Sequence, residues 1–256
     1  MRLLTLERAG SAAIVTLNRP ERRNALSLDL MHAFLETLDI IGVDADVRAV
    51  IVAAEGPVFS SGHDLSEMIG RQESEYSDLF EICTRLMLRL SEIPQPVIAE
   101  VGGLATAAGC QLVASCDLAV ASEEASFATP GVKIGLFCST PMVPLVRAVG
   151  RKRGMQMLLT GEPINARTAE EWGLVNQVVP AAELRNATLA LVEKIAASSS
   201  HTVGIGKRAF YEQIGLADRY AYERATFTMT DNAMTADAQE GMSAFLDKRR
   251  PVWRGR

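Results

Sequence analysis

From Gly102 to Cys110 the chain reads Gly-Gly-Leu-Ala-Thr-Ala-Ala-Gly-Cys, and apart from Leu104 every side chain in it is small. Such a run lets one backbone lie directly against another. Where it opens a helix, it also leaves N–H groups uncovered that can meet a developing negative charge. A helix buried by close packing alone fits the same run equally well. The run sits inside an alternation of elements. Val47 to Ala54 is a nearly continuous β-branched and alanine stretch, as expected for a strand covered on both faces, and Gly56-Pro57 ends it. Val97–Val101 and Leu118–Ala121 repeat the pattern with helical segments between, which predicts an α/β fold.

The ends of the chain fit the same scheme. Leu3–Leu6 and Ala12–Leu17 read as a hairpin turning at Arg8-Ala9-Gly10-Ser11. After the polar loop Asn18–Asn24, Ser27 is placed to cap a helix with Leu30, Met31, Phe34, Leu35 and Leu38 on one face. That makes a β-β-α unit. From about Asn186 only helical patterns remain, so the expected division is a core over residues 1–190 and a helical region over 191–256.

A length of 256 residues suffices for a single sizeable core, and 48% hydrophobic with 22% charged residues excludes a disordered or fibrous chain. The net charge of −5 argues against nucleic acid, whose binding draws on clustered Lys and Arg. The basic tract Lys248-Arg249-Arg250, with Arg254 and Arg256, is interrupted by Pro251 and Trp253 and reads as a solvated tail. Cys83, Cys110, Cys116 and Cys138 form no Cys-x-x-Cys pair and have no histidine at metal-ligand spacing, as expected of free thiols in a reducing compartment. The opening MRLLTLERAG carries no long apolar stretch. The expectation is a cytoplasmic protein with no membrane partner and no metal.

Two segments carry the chemistry. Val58–Leu65 follows a buried strand, and Ser61 and Gly62 can expose backbone N–H groups to a ligand oxygen, although a glycine turn capped by Asp64 is the simpler reading. The second is the small-residue run through Asp117. Together, Phe59-Ser60-Ser61-Gly62-His63-Asp64 and Gly103–Cys110 resemble the crotonase, or enoyl-CoA hydratase/isomerase, superfamily. The resemblance extends through Leu17–Pro20, Asn24-Ala25-Leu26, Phe127–Pro130, Leu159–Glu162, Trp172–Val175 and Phe245–Arg249, which is essentially the whole chain. Gly103–Asp117, with Phe127–Val132 and Gly135–Pro141, is similar to a divergent branch found in vertebrate mitochondria.

The resemblance implies a spiral of ββα units with a C-terminal helical region that assembles trimers or dimers of trimers. It implies an acyl-CoA ligand and no further cofactor. The family's two oxyanion N–H groups fall on Ser61 and Ala108, and Ser61, Gly62, His63 and Asp64 would lie along the CoA. Arg22 is a candidate for a CoA phosphate, and Lys248 for one on a neighbouring subunit. The two hydratase glutamates fall on Gln111, which cannot take a proton, and on Gly131, which has no side chain.

Three functions follow from this pattern. One is a hydratase/isomerase-type enzyme holding an enolate or oxyanion; another is an acyl-CoA-binding or regulatory protein without catalysis. The third is a thioester hydrolase using His63, which titrates near neutral pH, or Cys138, if its thiol pKa were lowered. His63 reads as well as a loop histidine bonded locally or to CoA, and Cys138 as a thiol lining the acyl pocket. Restoring both carboxylates, with Gln111→Glu and Gly131→Glu, is expected to raise hydration if the Gly131 loop tolerates a side chain.

Overall fold

The computed structural model describes residues 2–255; Met1 and the tract's Arg256 lie outside the described residues. Strands β1 (Leu4–Ala9) and β2 (Ala12–Leu17) form the expected antiparallel hairpin, with Leu4 opposite Leu17 and Ala9 opposite Ala12. Helix α1 (Leu28–Gly42) follows. The Ser27 hydroxyl accepts from Leu30 N at 3.3 Å and satisfies one of the helix's free donors. Leu30, Met31, Phe34 and Leu38 are fully buried beneath it.

Three further β-β-α passes succeed this one. They are β3 (Ala49–Ala54), β4 (Val58–Ser60) and α2 (Glu73–Glu92); β5 (Val97–Val101), β6 (Leu104–Thr106) and α3 (Ala108–Ser115); and β7 (Leu118–Ser122), β8 (Ser126–Ala128) and α4 (Met142–Val149). Next come α5 (Arg151–Thr160), β9 (Ile164–Asn165), α6 (Ala166–Trp172), β10 (Gln177–Val179) and α7 (Leu184–Ala196). The last helices are α8 (Ser200–Gln213), α9 (Asp218–Ala233) and α10 (Ala236–Leu246). Each pass gives its longer strand to a six-stranded sheet, ordered β1-β2-β3-β5-β7-β10, and its three-residue strand to a four-stranded sheet, ordered β4-β6-β8-β9. The chain therefore winds as a spiral. Within the second sheet β4, β6 and β8 run parallel, so their C-terminal ends open on one edge.

The six-stranded sheet is covered on both faces, which explains its near-continuous apolar strands. Ala13, Val15 and Leu17 of β2 belong to the core shared with α1, α2 and α3, while Ala12 and Ile14 pack on the opposite side with Leu184 and Val192 of α7. Position 190 thus lies inside a helix that belongs to the sheet, and the helical appendage begins with α8. Asp117 ties α8 to the sheet. It accepts from Val97 N at 2.6 Å and from the Tyr211 hydroxyl at 2.7 Å, and pairs with Lys207 at 2.7 Å. Lys207 Nζ also donates to Leu90 O and Gln95 O, so its three hydrogens are all used.

On α8, α9 and α10 only Gly204, Asp237 and Ala244 are buried. Large apolar side chains there face outward, among them Tyr222 at 76% and Phe245 at 83% exposure. Among the described residues, no helix is long and apolar enough to cross a membrane.

Candidate functional site

The loop after the 3-10 turn Pro20–Arg22 is held in an unusual shape. Arg23 and Asn24 both adopt the left-handed conformation, with φ of 52° and 51°. The fully buried Asn24 makes this possible. Its Oδ1 accepts from Arg19 N at 2.8 Å, and its Nδ2 donates to Glu55 O at 2.8 Å and Val58 O at 2.7 Å. Arg19 extends across the loop, donating to Ala25 O at 2.8 Å and pairing with Asp64 at 3.2 Å. Hydrogen bonds from the Ser66 hydroxyl and from Arg19 hold the Asp64 carboxyl below its ordinary range, so it is charged and engaged.

This clamp decides which amides of Ser61–Asp64 are free. Ser61 N donates to Arg23 O at 3.0 Å, Gly62 N to Ser60 Oγ at 3.3 Å, and Asp64 N to Leu26 O at 3.4 Å. Only His63 N is left without a partner among the described residues. The expectation that Ser61 supplies a free donor is therefore corrected: its N–H is committed to the Arg23 carbonyl, and the open N–H belongs to His63.

The second open N–H is where the sequence places it. Ala108 is the first residue of α3, so its amide has no carbonyl a turn earlier to bond. Ala107, at φ 51° and ψ −120°, turns the chain sharply into the helix, a conformation costing about 1–3 kcal/mol in a residue other than glycine. Its own N–H is tied to Ala128 O at 2.9 Å. Gly62, at φ 89°, lies against this turn, and a Cβ there would stand 2.8 Å from Ala107 Cβ and 3.1 Å from Ala108 N. Only glycine lets the two loops meet so closely. The positive end of the α3 backbone dipole adds to the attraction for negative charge.

Around these amides the side chains are neutral. The His63 ring stands edge-on to Phe80, with centroids 5.7 Å apart, and burial lowers its pKa to about 4. It is uncharged near neutral pH and a weak base. Gln111 is buried on α3 with no partner for Oε1. Gly131 lies in the 3-10 turn Pro130–Ile134, and a Cβ there would come within 2.0 Å of Leu136 O and 2.8 Å of Cys138 Sγ. The returning strand of the loop fills the space a side chain needs. Gly131 is not in the left-handed region; its barrier to substitution is this contact, so the loop does not tolerate a glutamate as built.

Cys138 is buried, and desolvation raises its thiol pKa, opposite to what a nucleophile requires. Cys110, next to Gln111, is pushed up to about 12, chiefly by burial and secondarily by Cys138. Arg22 is exposed on the clamped loop, and Lys248 is exposed just past α10. Sequence reasoning overlooked Arg19, Asn24, Thr106 and Thr129. The first two lay within a segment noted only as a polar loop and for resemblance; Thr106 ends a strand of three residues and Thr129 follows another, both too short to show a period.

A groove of about 510 Å³ lies elsewhere, lined by Leu118, Ile195, Val203, Phe210 and the Asp117–Lys207–Tyr211 cluster. Its polar groups are already paired with one another, so it offers no comparable chemistry.

Comparison with known proteins bears on this geometry. The sequence model of the enoyl-CoA hydratase/isomerase family matches residues 7–256. The rat "enoyl-CoA hydratase domain-containing protein 3, mitochondrial" is 49% identical over 240 residues, 93% of this chain and 80% of its own. A crystal structure of an enoyl-CoA hydratase from Mycobacterium smegmatis superposes with a TM-score of 0.96 at 48% identity, covering 99% of both chains. That of the human enoyl-CoA hydratase domain-containing protein 3 does so at 0.95 and 47%, covering 98% of this chain and 100% of its own. The rat protein, like its mouse and human counterparts, is mitochondrial by name, which overturns the expectation of a cytoplasmic protein.

Proposed function

This chain belongs to the enoyl-CoA hydratase/isomerase family, and from that premise we propose that it binds acyl-CoA thioesters with the carbonyl oxygen between the N–H groups of His63 and Ala108. The observation that carries the reading is the pair itself. The amides on either side of His63 are bonded while its own is open, and across Gly62 the Ala108 amide opens α3 with no acceptor of its own. Fixed donors of this kind favour the enolate or tetrahedral oxyanion over the neutral thioester, because they need not reorient as charge develops.

The reaction that follows is limited by what surrounds the hole. Gln111 and Gly131 stand at the two positions the family resemblance gives to the hydratase glutamates, and neither can carry a proton. The chain therefore acts as an acyl-CoA-binding protein whose hydratase/isomerase chemistry rests on charge stabilisation alone. Thioester hydrolysis gains nothing: His63 is a weak base and the Cys138 thiol stays protonated.

The CoA moiety would run along Gly62, His63 and Asp64, with exposed Arg22 available to a phosphate and Lys248 to one on a neighbouring subunit. The outward apolar face of α8–α10 fits a trimer or a dimer of trimers. Sedimentation at micromolar concentration is expected to give three or six chains per particle, and a monomer would contradict this.

Calorimetry tests the site. Butyryl-CoA is expected to bind and free butyrate to bind far more weakly, since the acid lacks both the nucleotide and the thioester. Equal affinities would remove the support for this pocket.

A further inference from the structure

Past α10 the chain does not trail into solvent, as its basic tract suggests; it folds back. Lys248, at φ 54°, reverses the direction, and Arg249 N donates to Ala244 O at 3.0 Å. Residues 249–255 are then bonded to α10 by Asp237 and Glu240, which stand on one face of the helix at i and i+3. Glu240 takes the Arg249 guanidinium on both oxygens, at 2.6 and 3.0 Å, and the Val252 N–H at 2.9 Å. Asp237, 1% exposed, accepts from Arg254 N at 2.7 Å, from Gly255 N at 3.0 Å and from the Ser199 hydroxyl at 2.5 Å.

Two of the contacts reach beyond α10. Ser199 is the cap of α8, accepting from Thr202 N at 3.1 Å. Trp253 Nε1 donates to Ala197 O, just past α7, at 2.9 Å. The Trp253 ring lies on α10 at Gly241, where a Cβ would stand 3.2 and 3.3 Å from ring atoms. The tail thus fastens α10 to the α7–α8 junction. Apolar burial adds little to this attachment, since α10 buries only Asp237 and Ala244 and α9 buries nothing. Helix α8 is held otherwise, by Lys207 and Tyr211 on Asp117 and by the approach of Gly204 to Pro94. Residues 214–217, which join α8 to α9, are exposed, and a Cβ on Gly215 would meet nothing within 4 Å.

We propose that residues 249–255 are a clasp and that α9–α10 is a flap, hinged at residues 214–217, which the clasp holds against the α7–α8 junction. The inference is independent of the thioester reading. Bonds to ionised carboxylates are stronger than neutral ones, so a few of them can hold a flap that has almost no core of its own. Because they are local, they can open without unfolding the sheet. The flap carries the outward apolar residues Phe227, Met229, Phe245 and Leu246, so the clasp fixes where that face is presented.

Amide hydrogen exchange on the full chain tests this with wild type, Glu240→Ala and Trp253→Ala. Glu240→Ala removes the partner of Arg249 and Val252 at a surface position, and Trp253→Ala removes the ring and its N–H, so neither change touches the sheet. Exchange over Ala236–Leu246 is expected to quicken about tenfold or more in each, the effect of losing one charge-assisted hydrogen bond or its equivalent. Amides of β2, β3 and β5, and of α8 around Lys207, should exchange as in wild type. Unchanged protection of α10 in both variants would overturn the clasp. Quickening of the sheet strands by the same factor would overturn the flap, because α10 would then open only with the whole molecule.

Discussion

Hydration of crotonyl-CoA by the wild-type chain is expected to run at least about 10²-fold below that of a hydratase carrying both glutamates, since one positioned acid or base contributes about 10²–10⁴-fold. What remains should reflect the two N–H donors, each worth roughly 10²–10³-fold in comparable sites. Gln111→Glu places one carboxylate on α3, where burial should raise its pKa toward neutrality and make it a usable proton carrier. Hydration should then rise about tenfold or more above wild type. Adding Gly131→Glu is not expected to help, and the sequence-based expectation of a double rescue fails for a steric reason. The new Cβ would meet Leu136 O at 2.0 Å, so the loop from Gly131 to Cys138 must move and the protein should lose stability. The assay is the loss of enoyl-thioester absorbance for wild type, single and double variants side by side. A double variant that outperforms the single one would show that the loop yields more easily than its packing indicates.

The largest stability effect is expected at Lys207. Lys207→Met leaves the Asp117 carboxylate buried with only Val97 N and the Tyr211 hydroxyl as partners, and strips Leu90 O and Gln95 O of their donor. Breaking one side of a buried pair costs about 3–5 kcal/mol. For a chain of this length that corresponds to a fall in Tm of roughly 6–20 °C. The pair itself is not a large net stabiliser, because desolvation lowers the Lys207 pKa and Asp117 offsets this only in part. Folded and unfolded states therefore differ in the sense that protonating Lys207 opposes folding, and this contribution disappears only as pH rises through the unfolded lysine range. Removing both charges, Lys207→Met with Asp117→Asn, should accordingly cost less than Lys207→Met alone. Thermal unfolding of the three proteins measures this; a single variant within 2 °C of wild type, on the order of 1 kcal/mol, would show that the cluster is more solvated than its burial indicates.

Much of the fold was legible because its long elements carry strong patterns. The cap at Ser27, the face Leu30-Met31-Phe34-Leu38 and the strands at Ala49–Ala54 and Val97–Val101 follow from side-chain chemistry over five to fifteen residues. The second sheet was not legible by periodicity, since Val58–Ser60, Leu104–Thr106 and Ser126–Ala128 are three residues each. Three residues are too few to show an alternation, and the pairing of these strands is set by the spiral rather than by local preference.

The site divided along the same line. Ala108 was recoverable because the start of a helix always leaves open amides. His63 N was not, because whether a loop amide is free depends on distant carbonyls. Here Ser60 Oγ and Leu26 O take the amides on either side of it, and Arg23 O, from a loop shaped by Asn24, takes that of Ser61.

The claim on which the rest depends is that the N–H groups of His63 and Ala108 grip the thioester carbonyl. Infrared difference spectroscopy of butyryl-CoA labelled with ¹³C at the carbonyl reads that bond directly in the complex. Two fixed donors polarise the C=O bond, so the labelled band should move to lower wavenumber on binding than it shows in water. A band that stays at its aqueous position, or rises as in an apolar pocket, in a sample where calorimetry shows the ligand bound, would contradict the account.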